Sequence, residues 1–360
     1  MDRDRSMEPT KVGIVGVTGY GGGELARLLS GHPSVQITYV TSSTYAGRPL
    51  HDALPGLRGT GLVCEVFHAV ACADKCDVVF LAGEAGLAIQ AAPRLLEQDK
   101  LVVDLSADFR LQSADEYAYW YGKPHTAVQW LGEAVYGLPE LNRERIASAR
   151  LCANPGCYPT SAILALAPLV SRRLVKLDTI IVDSMSGASG AGRSKFGLDF
   201  HFAEMNESAR AYGVGGTHRH TPEIEQALAQ VAGADVKITF TPHLVPLTRG
   251  ILTTAYATLA DSAESAQDTL ALLHSLYTEY YQDAPFVVVL DAGQFPATKH
   301  VQGTNHCHIG LAVDARTNRV VVVSAIDNLG KGAAGQAIQN MNLMLGLPET
   351  LGLTGGAMWP

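Results

Sequence analysis

The sequence is short of every feature that would take it out of an ordinary aqueous setting. Six cysteines are scattered through 360 residues, too few and too irregularly spaced for a disulfide framework. Cys64, Cys72 and Cys76 do not complete a zinc set, and no metal is expected. Charged residues make up only 17% of the chain, and the formal net charge is -8. No basic stripe is present to neutralise phosphates in a row, which argues against nucleic acid or an anionic membrane as partner. No apolar run is long enough to span a bilayer, and the first ten residues are polar, unlike a signal peptide. These absences predict a cytoplasmic protein whose partner is a small molecule. Hydrophobic residues at 47% are ample for globular cores, and the length favours two domains.

What is present begins with a strand, a glycine turn and a helix. Lys11 to Gly16 (KVGIVG) reads as a buried strand, and an amphipathic helix is expected from Glu24 to Ser30. Between them Gly16, Gly19 and Gly22 keep a three-residue spacing, with Thr18, Tyr20 and Gly21 in the same turn. That pattern lets bare backbone approach a pyrophosphate at a helix N-terminus. After the next strand, Gln36 to Val40, the acidic residue that an NAD enzyme uses for the ribose hydroxyl is missing. Thr41-Ser42-Ser43-Thr44 stands there, followed by Arg48, which suits a 2′-phosphate and predicts NADPH. Further strands at Asp77–Ala82 and Leu101–Ser106, with a helix at Gly86–Glu97 between them, continue a doubly wound parallel sheet. Arg110 follows a strand end, the edge where such sheets bind ligands, and is placed to hold an anion.

The pattern changes near Cys157. Thr160 to Val170 is an uncharged helical run, so Cys157 should lie at the helix start, with Pro159 in the first helical position. Unpaired N–H groups and the helix dipole there favour a thiolate. Beyond it come the loop Ser186 to Arg193, rich in glycine and serine, and a series of β-rich runs at 178–183, 236–240, 251–259, 286–290, 306–313 and 320–326. A mixed or antiparallel sheet is expected, covered by helices such as 262–282, with a last helix at 331–345 returning to the first half. His218-Arg219-His220 just before Pro222 is the densest histidine cluster of the second half, and either histidine suits acid/base work between pH 5 and 8. His306-Cys307-His308 alternates across a strand and is read as structural.

Taken together, the stretches Gly16 to Leu25, Asp104 to Arg110 (DLSADFR), Tyr136 to Glu140 (YGLPE), Pro155 to Thr160 (PGCYPT), Ser186 to Arg193, His218 to Ile224 and Ala325 to Gly332 resemble the N-acetyl-gamma-glutamyl-phosphate reductase family, which is related to aspartate-semialdehyde dehydrogenase. The resemblance runs from about Lys11 to the C-terminus. It implies an α/β protein, with a Rossmann domain at 11–156 completed by a C-terminal helix at 327–360. A glyceraldehyde-3-phosphate dehydrogenase-like α+β domain at 157–326 would carry catalysis and homodimer or homotetramer contacts. It implies NADPH-dependent reduction of N-acetyl-L-glutamyl 5-phosphate through a thioester. Cys157 is then the nucleophile and His220 the acid/base, while Arg110, Asn154, His218 and Glu223 seat the acyl phosphate. NADPH is expected against Gly16, Thr18, Gly19, Tyr20, Gly21, Gly22, Ser42, Arg48, Ser186, Gly187, Ser189, Gly190 and Asn328. Where the family often carries a proline-histidine pair this chain has Gly83-Glu84-Ala85-Gly86, and residues 57–76 match nothing placeable. Two other readings stay open: a carrier-protein-linked aminoadipyl phosphate reductase, and an NADPH-sensing regulator without chemistry.

Overall fold

The apolar run at the start of the chain forms β1 (Thr10–Val15), and the glycine turn feeds α1 (Tyr20–Leu29). A computed structural model describes residues 8–194, 197–261 and 265–358. The first half continues through β2 (Val35–Thr41), β3 (Cys64–Glu65), α2 (Ala69–Lys75), β4 (Val78–Leu81), α3 (Leu87–Leu96), β5 (Leu101–Asp104), α4 (Ala114–Tyr121), β6 (Ala134–Tyr136), α5 (Pro139–Ala147) and β7 (Leu151–Ala153). Its seven strands are parallel, in the order β3-β2-β1-β4-β5-β7-β6. The order reverses direction between β1 and β4, which opens a crevice at their C-terminal ends, where such sheets take ligands. The unplaced stretch 57–76 supplies the edge strand β3 and α2, and Cys64, Cys72 and Cys76 are all buried there.

The second sheet has the order β12-β13-β14-β11-β8-β10-β9, with parallel and antiparallel pairs mixed. Its strands are β8 (Ile180–Ser186), β9 (Arg210–Ala211), β10 (Ile238–Leu244), β11 (Ile251–Thr258), β12 (Val287–Val289), β13 (Cys307–Asp314) and β14 (Arg319–Ile326). The helices of this half are α6 (Cys157–Ser171), the single turn α7 (Phe202–Met205), α8 (Thr221–Ala232) and α9 (Ala266–Tyr280). Residues 262–264 of the helix expected at 262–282 lie outside the described residues. Alternate residues of β11, from Ile251 to Ala257, are buried on the side covered by α6, in the core that α8 and α9 complete, and those between them are half-buried on the opposite face. That alternation is the mark of a sheet covered on one side.

The helix α6 is apolar all round and nearly every residue in it is buried, so its few polar groups must be satisfied internally. Pro168 has no N–H to give Leu164 four residues back, and the Tyr281 hydroxyl donates to that carbonyl at 2.6 Å instead. Ser161 Oγ bonds Thr253 Oγ1 at 2.9 Å and Ser324 Oγ at 2.7 Å, pinning the helix to β11 and β14. Cys157 is the first residue of α6, as expected, but Pro159 is the third rather than the first. Its missing N–H is harmless there too, since the whole first turn lacks intrahelical acceptors.

The last helix follows the expected 331–345: a wide helical turn at Gly330–Ala334 runs directly into α10 (Gly335–Met344). It does not fill 327–360, since the described residues beyond it are turns and irregular chain. Ala337, Ile338 and Met341 of α10 pack with Val12, Ile14 and Phe80 on the first sheet. Lys331 in the wide turn is fully buried; its Nζ donates to Glu140 Oε1 at 2.7 Å and Gln339 Oε1 at 2.8 Å. Glu140 Oε2 has no partner among the described residues. Lys331→Met should therefore leave a buried carboxylate uncompensated and lower the urea unfolding free energy by about 3–5 kcal/mol. Adding Glu140→Leu should recover most of that loss.

Candidate active site

Gly156 caps α6 in extended backbone, and Cys157 begins the helix at the edge of a cavity of about 400 Å³. The turn before it is held by a buried carboxylate on α8. Glu223, 1% exposed, takes the Gly156 N–H at 2.8 Å and the Tyr136 hydroxyl at 2.9 Å on Oε1, and Arg110 at 3.4 Å on Oε2. Arg110 also donates to the backbone carbonyls of Asn154 at 2.8 Å and Leu105 at 2.9 Å. Asn154 itself accepts from Asn340 at 3.0 Å and donates to the Ala333 carbonyl at 3.2 Å. Gly332 presses on the nucleophile from the other side: a Cβ there would stand 2.8 Å from Cys157 Cβ. Glu223 and Asn154, expected to seat a substrate, thus have their polar atoms engaged within the protein, where they shape the Cys157 turn.

Cys157, His218 and His220 line the same cavity, with Tyr158 and Arg219 beside them. A Cβ on Gly156 would stand 2.7 Å from His220 Nε2 and 3.0 Å from an Arg110 nitrogen, so only glycine lets imidazole and guanidinium close on this turn. His218 is boxed by Tyr158, Tyr212 and Phe240, and its Nδ1 takes the His220 N–H at 3.1 Å. Burial pushes the His220 pKa well below the ordinary histidine value, helped by His218, Arg110 and Arg219. Burial, then Arg219, lowers His218 to about 4. Both imidazoles are neutral near pH 7, and titration between pH 5 and 8, anticipated from unperturbed histidine, is displaced to more acid conditions. The thiolate expected at Cys157 is also corrected. Burial raises its thiol to about 11, against the lowering effect of Arg110 and of the N–H groups at the helix start. The site therefore holds a neutral thiol and a neutral base.

The fingerprint turn fits a dinucleotide. Gly16 has φ +87°, a Cβ on Gly22 would fall 2.3 Å from the Gly16 carbonyl oxygen, and a Cβ on Gly21 would meet nothing within 4 Å. The first-turn N–H groups of α1 are thus approached by bare backbone, with Tyr20 exposed at the turn. Thr18 and Ser42 hydroxyls share a 3.0 Å hydrogen bond across the end of the turn, and Arg48 pairs with Asp52 at 3.0 Å, stacked over Tyr45. Ser186, Gly187 and Gly190 line the cavity with Cys157, while Ser189 is buried and accepts from Asn328 at 2.9 Å. Sequence reasoning passed over Tyr136, Tyr212, Asp199 and Arg210. The last three line the cavity from the excursion between β8 and α8, where Arg210 donates to Asp199 Oδ1 at 2.6 Å. Only Tyr136 carried a signal, as the first residue of the YGLPE stretch.

A nucleotide-fingerprint sheet joined to a mixed sheet, with a cysteine at the first turn of a buried helix, defines the semialdehyde dehydrogenase class. Residues 11–149 match the family model "Semialdehyde dehydrogenase, NAD binding domain" and residues 157–328 "Semialdehyde dehydrogenase, dimerisation domain". The fold is shared with aspartate semialdehyde dehydrogenase II from Vibrio cholerae (TM-score 0.69, 18% identity, 94% of this chain and 98% of that one). The aspartate semialdehyde dehydrogenase with NADP from Candida albicans gives the same values. In sequence, the chain is 52% identical over 351 residues to the N-acetyl-gamma-glutamyl-phosphate reductase of Pelotomaculum thermopropionicum, covering 97% of this chain and 99% of the relative. It is 54% identical over 344 residues to that of Geobacter sp. strain M21, covering 95% and 97%. The chain belongs to the N-acetyl-gamma-glutamyl-phosphate reductase family.

Cys157 is the one cysteine of the six that is not fully buried, so alkylation reports on it selectively. Labelling by iodoacetamide should keep accelerating with pH up to about 10, because the thiolate is the reacting form and burial holds the thiol protonated. Arg110→Met should move that profile to higher pH. A rate that levels off by about pH 8 would contradict the assignment of a high thiol pKa.

Proposed function

We propose that this protein reduces N-acetyl-L-glutamyl 5-phosphate to N-acetyl-L-glutamate 5-semialdehyde, consuming one NADPH and one proton and releasing hydrogen phosphate, as a step of L-arginine biosynthesis. The observation that carries the reading is Cys157 and a neutral His220 on one cavity wall, in a chain over half identical to reductases of that name. The Cys157 sulfur attacks the acyl carbon, the bond to the phosphate oxygen breaks, and a thioester forms on the protein. His220 takes the thiol proton as the C–S bond forms and passes it to the departing phosphate, which leaves as hydrogen phosphate; the one proton consumed overall comes from solvent through His220 to the sulfur when the semialdehyde leaves. The low basicity of His220 makes it a reluctant holder of that proton, which favours its onward transfer. Arg110, its three nitrogens held by Asn154, Leu105 and Glu223, contributes positive charge from behind the Cys157 turn, and the N–H groups of Cys157 and Tyr158 hold the oxyanion of each tetrahedral species. NADPH, when bound, supplies the hydride. Gly16 to Gly22 and Ser42 would hold its adenosine and pyrophosphate end, with Arg48 toward the 2′-phosphate, and Ser186, Gly187, Ser189, Gly190 and Asn328 would face the nicotinamide end.

Residues 11–156 with 327–360 act in this reading as the dinucleotide-binding domain, and 157–326 as the catalytic and assembly domain. The half-buried face of the second sheet, with Met185 and Tyr256, is the surface for a homodimer or homotetramer. Among the described residues no helix is long and apolar enough to cross a membrane, and a cytoplasmic location suits the cofactor.

Cys157→Ser should abolish phosphate-dependent reduction of NADP by the semialdehyde, followed by nicotinamide absorbance, while NADPH still binds. Unchanged turnover would end the proposal. His220→Asn should lower kcat/KM by about 10²- to 10⁴-fold. The wild-type value should stay level from about pH 8 to 6.5, because His220 is still the neutral base and Cys157 still the thiol throughout that window. Comparing the semialdehydes of N-acetylglutamate, aspartate and aminoadipate fixes the substrate.

A further inference from the structure

One arginine outside the cavity ties the fingerprint helix to the loop beside Cys157. Arg249, in the turn between β10 and β11, grips Glu24 of α1 with both nitrogens, at 2.7 and 3.0 Å. Glu24 is 4% exposed and sits one turn into the helix that follows the glycine turn. The same guanidinium reaches Asp327 at 3.3 Å, and Asp327 in turn accepts the N–H groups of Gly303, Leu329 and Gly330 at 2.6, 2.8 and 3.1 Å.

The backbone around Arg249 is also the bed on which the cavity loop lies. Gly187, Ala188 and Ser189 donate their N–H groups to the carbonyls of Gly250, Leu247 and Thr248 at 3.0, 2.8 and 3.1 Å. A Cβ on Gly187 would stand 2.8 Å from Thr248 and 2.9 Å from the Arg249 nitrogen, so the two strands of chain touch without a side chain between them. Asn328 closes the arrangement, accepting from Gly250 N–H at 2.8 Å and donating to Ser189 Oγ at 2.9 Å. The path from α1 to the wall bearing Ser186, Gly187 and Gly190 is therefore one guanidinium and a short ladder of backbone bonds.

We propose that Arg249 is a positioning residue: through Glu24 it sets the separation between the dinucleotide fingerprint and the Ser186–Gly190 loop, so that a cofactor seated on α1 presents its ring at Cys157. Arg249 is absent from the cavity lining, and its nitrogens are spent on Glu24 and Asp327. The inference rests on the NADPH reading above and concerns geometry rather than affinity. Arg27 also holds Glu24, at 2.7 and 3.0 Å, and Asp327 keeps its three backbone N–H donors, so removing Arg249 strands neither buried carboxylate.

The test uses full-length protein and reads the ring's position without turnover. NADPH binding is measured by its fluorescence, and iodoacetamide labelling of Cys157 is timed with and without saturating NADPH. In the wild type, NADPH should slow labelling about tenfold or more; in Arg249→Met it should bind within about threefold of the wild-type Kd yet slow labelling less than about twofold, with kcat down about 10²-fold, the cost expected of a misplacement near 1 Å. Arg249→Lys, which keeps a charge on Glu24 but lacks the fork, should restore part of the protection. Wild-type protection and kcat in Arg249→Met would overturn the proposal. So would an equal loss of NADPH affinity, basal Cys157 labelling and thermal midpoint in both variants, which marks a merely structural role. Absence of protection or of turnover in the wild type itself would instead count against the NADPH reading.

Discussion

The carboxylate of Glu223 is the constraint on which the site depends. It is sealed from water and accepts from the turn that carries Cys157, from Tyr136 on the first sheet and from Arg110. A carboxylate in that position fixes three elements at once, because an ionised group in low dielectric tolerates no loss of its donors. The Gly156 N–H cannot drift from it without leaving charge unpaired. Cys157, one residue on, inherits that fixity. A substrate carbon arriving in the cavity meets a sulfur already aimed by groups that do not themselves react, which is preorganisation in the sense that matters for rate.

The same burial that fixes the turn sets the proton inventory. Helix-start N–H groups and a guanidinium act to stabilise the thiolate, but desolvation outweighs them and the free thiol stays protonated. His220 lies among His218, Arg110 and Arg219, and its Nδ1 finds no partner among the described residues. Among the described residues no carboxylate bonds the ring to stabilise an imidazolium, so the pair is neutral where many cysteine–histidine pairs are ionic. A resting thiol is also the form less prone to alkylation and oxidation. Charge separation is then confined to the moment when an anionic acyl phosphate occupies the cavity.

Much of this was legible in the chain, for physical reasons that differ by residue. The strand–glycine–helix opening is local, and so is the helix start at Cys157: short-range sterics and an uncharged run determine both, and the structure follows them to within a few residues. The order of β-rich runs after Asp178 also survives in the second sheet. What failed is what depends on burial. The histidine and thiol titrations were inferred from exposed values and helix dipoles, and the sequence carries no measure of how deeply a tight turn is covered. Tyr136 and Glu223 are 87 residues apart, and Arg249 and Glu24 are 225 apart; no periodicity relates such pairs. The last helix, expected at 331–345, is found as the wide turn Gly330–Ala334 running into α10, and only the longer span 327–360 is not filled, because the chain beyond it is turns and irregular.

The net charge of -8 is equally uninformative about the site, and the reason is instructive. Most of the acidic excess is on the solvated surface, where screening removes its influence within about 10 Å. The cavity is lined by Arg210 and Arg219, with Asp199 engaged by Arg210, while Arg110 and Glu223 pair behind the Cys157 turn. Arg219 stacks over the Tyr121 ring at 5.3 Å and has no carboxylate partner among the described residues. Arg219 is itself exposed, but at the cavity wall it stands much closer to an entering ligand than the distant surface carboxylates do, and the attraction falls with separation and screening. An acidic protein thereby presents a cationic pocket to an anionic substrate. The same charge adds to burial, the larger cause, in pushing down both histidines, so that the arginines that draw in an anion also reinforce the neutrality of the base.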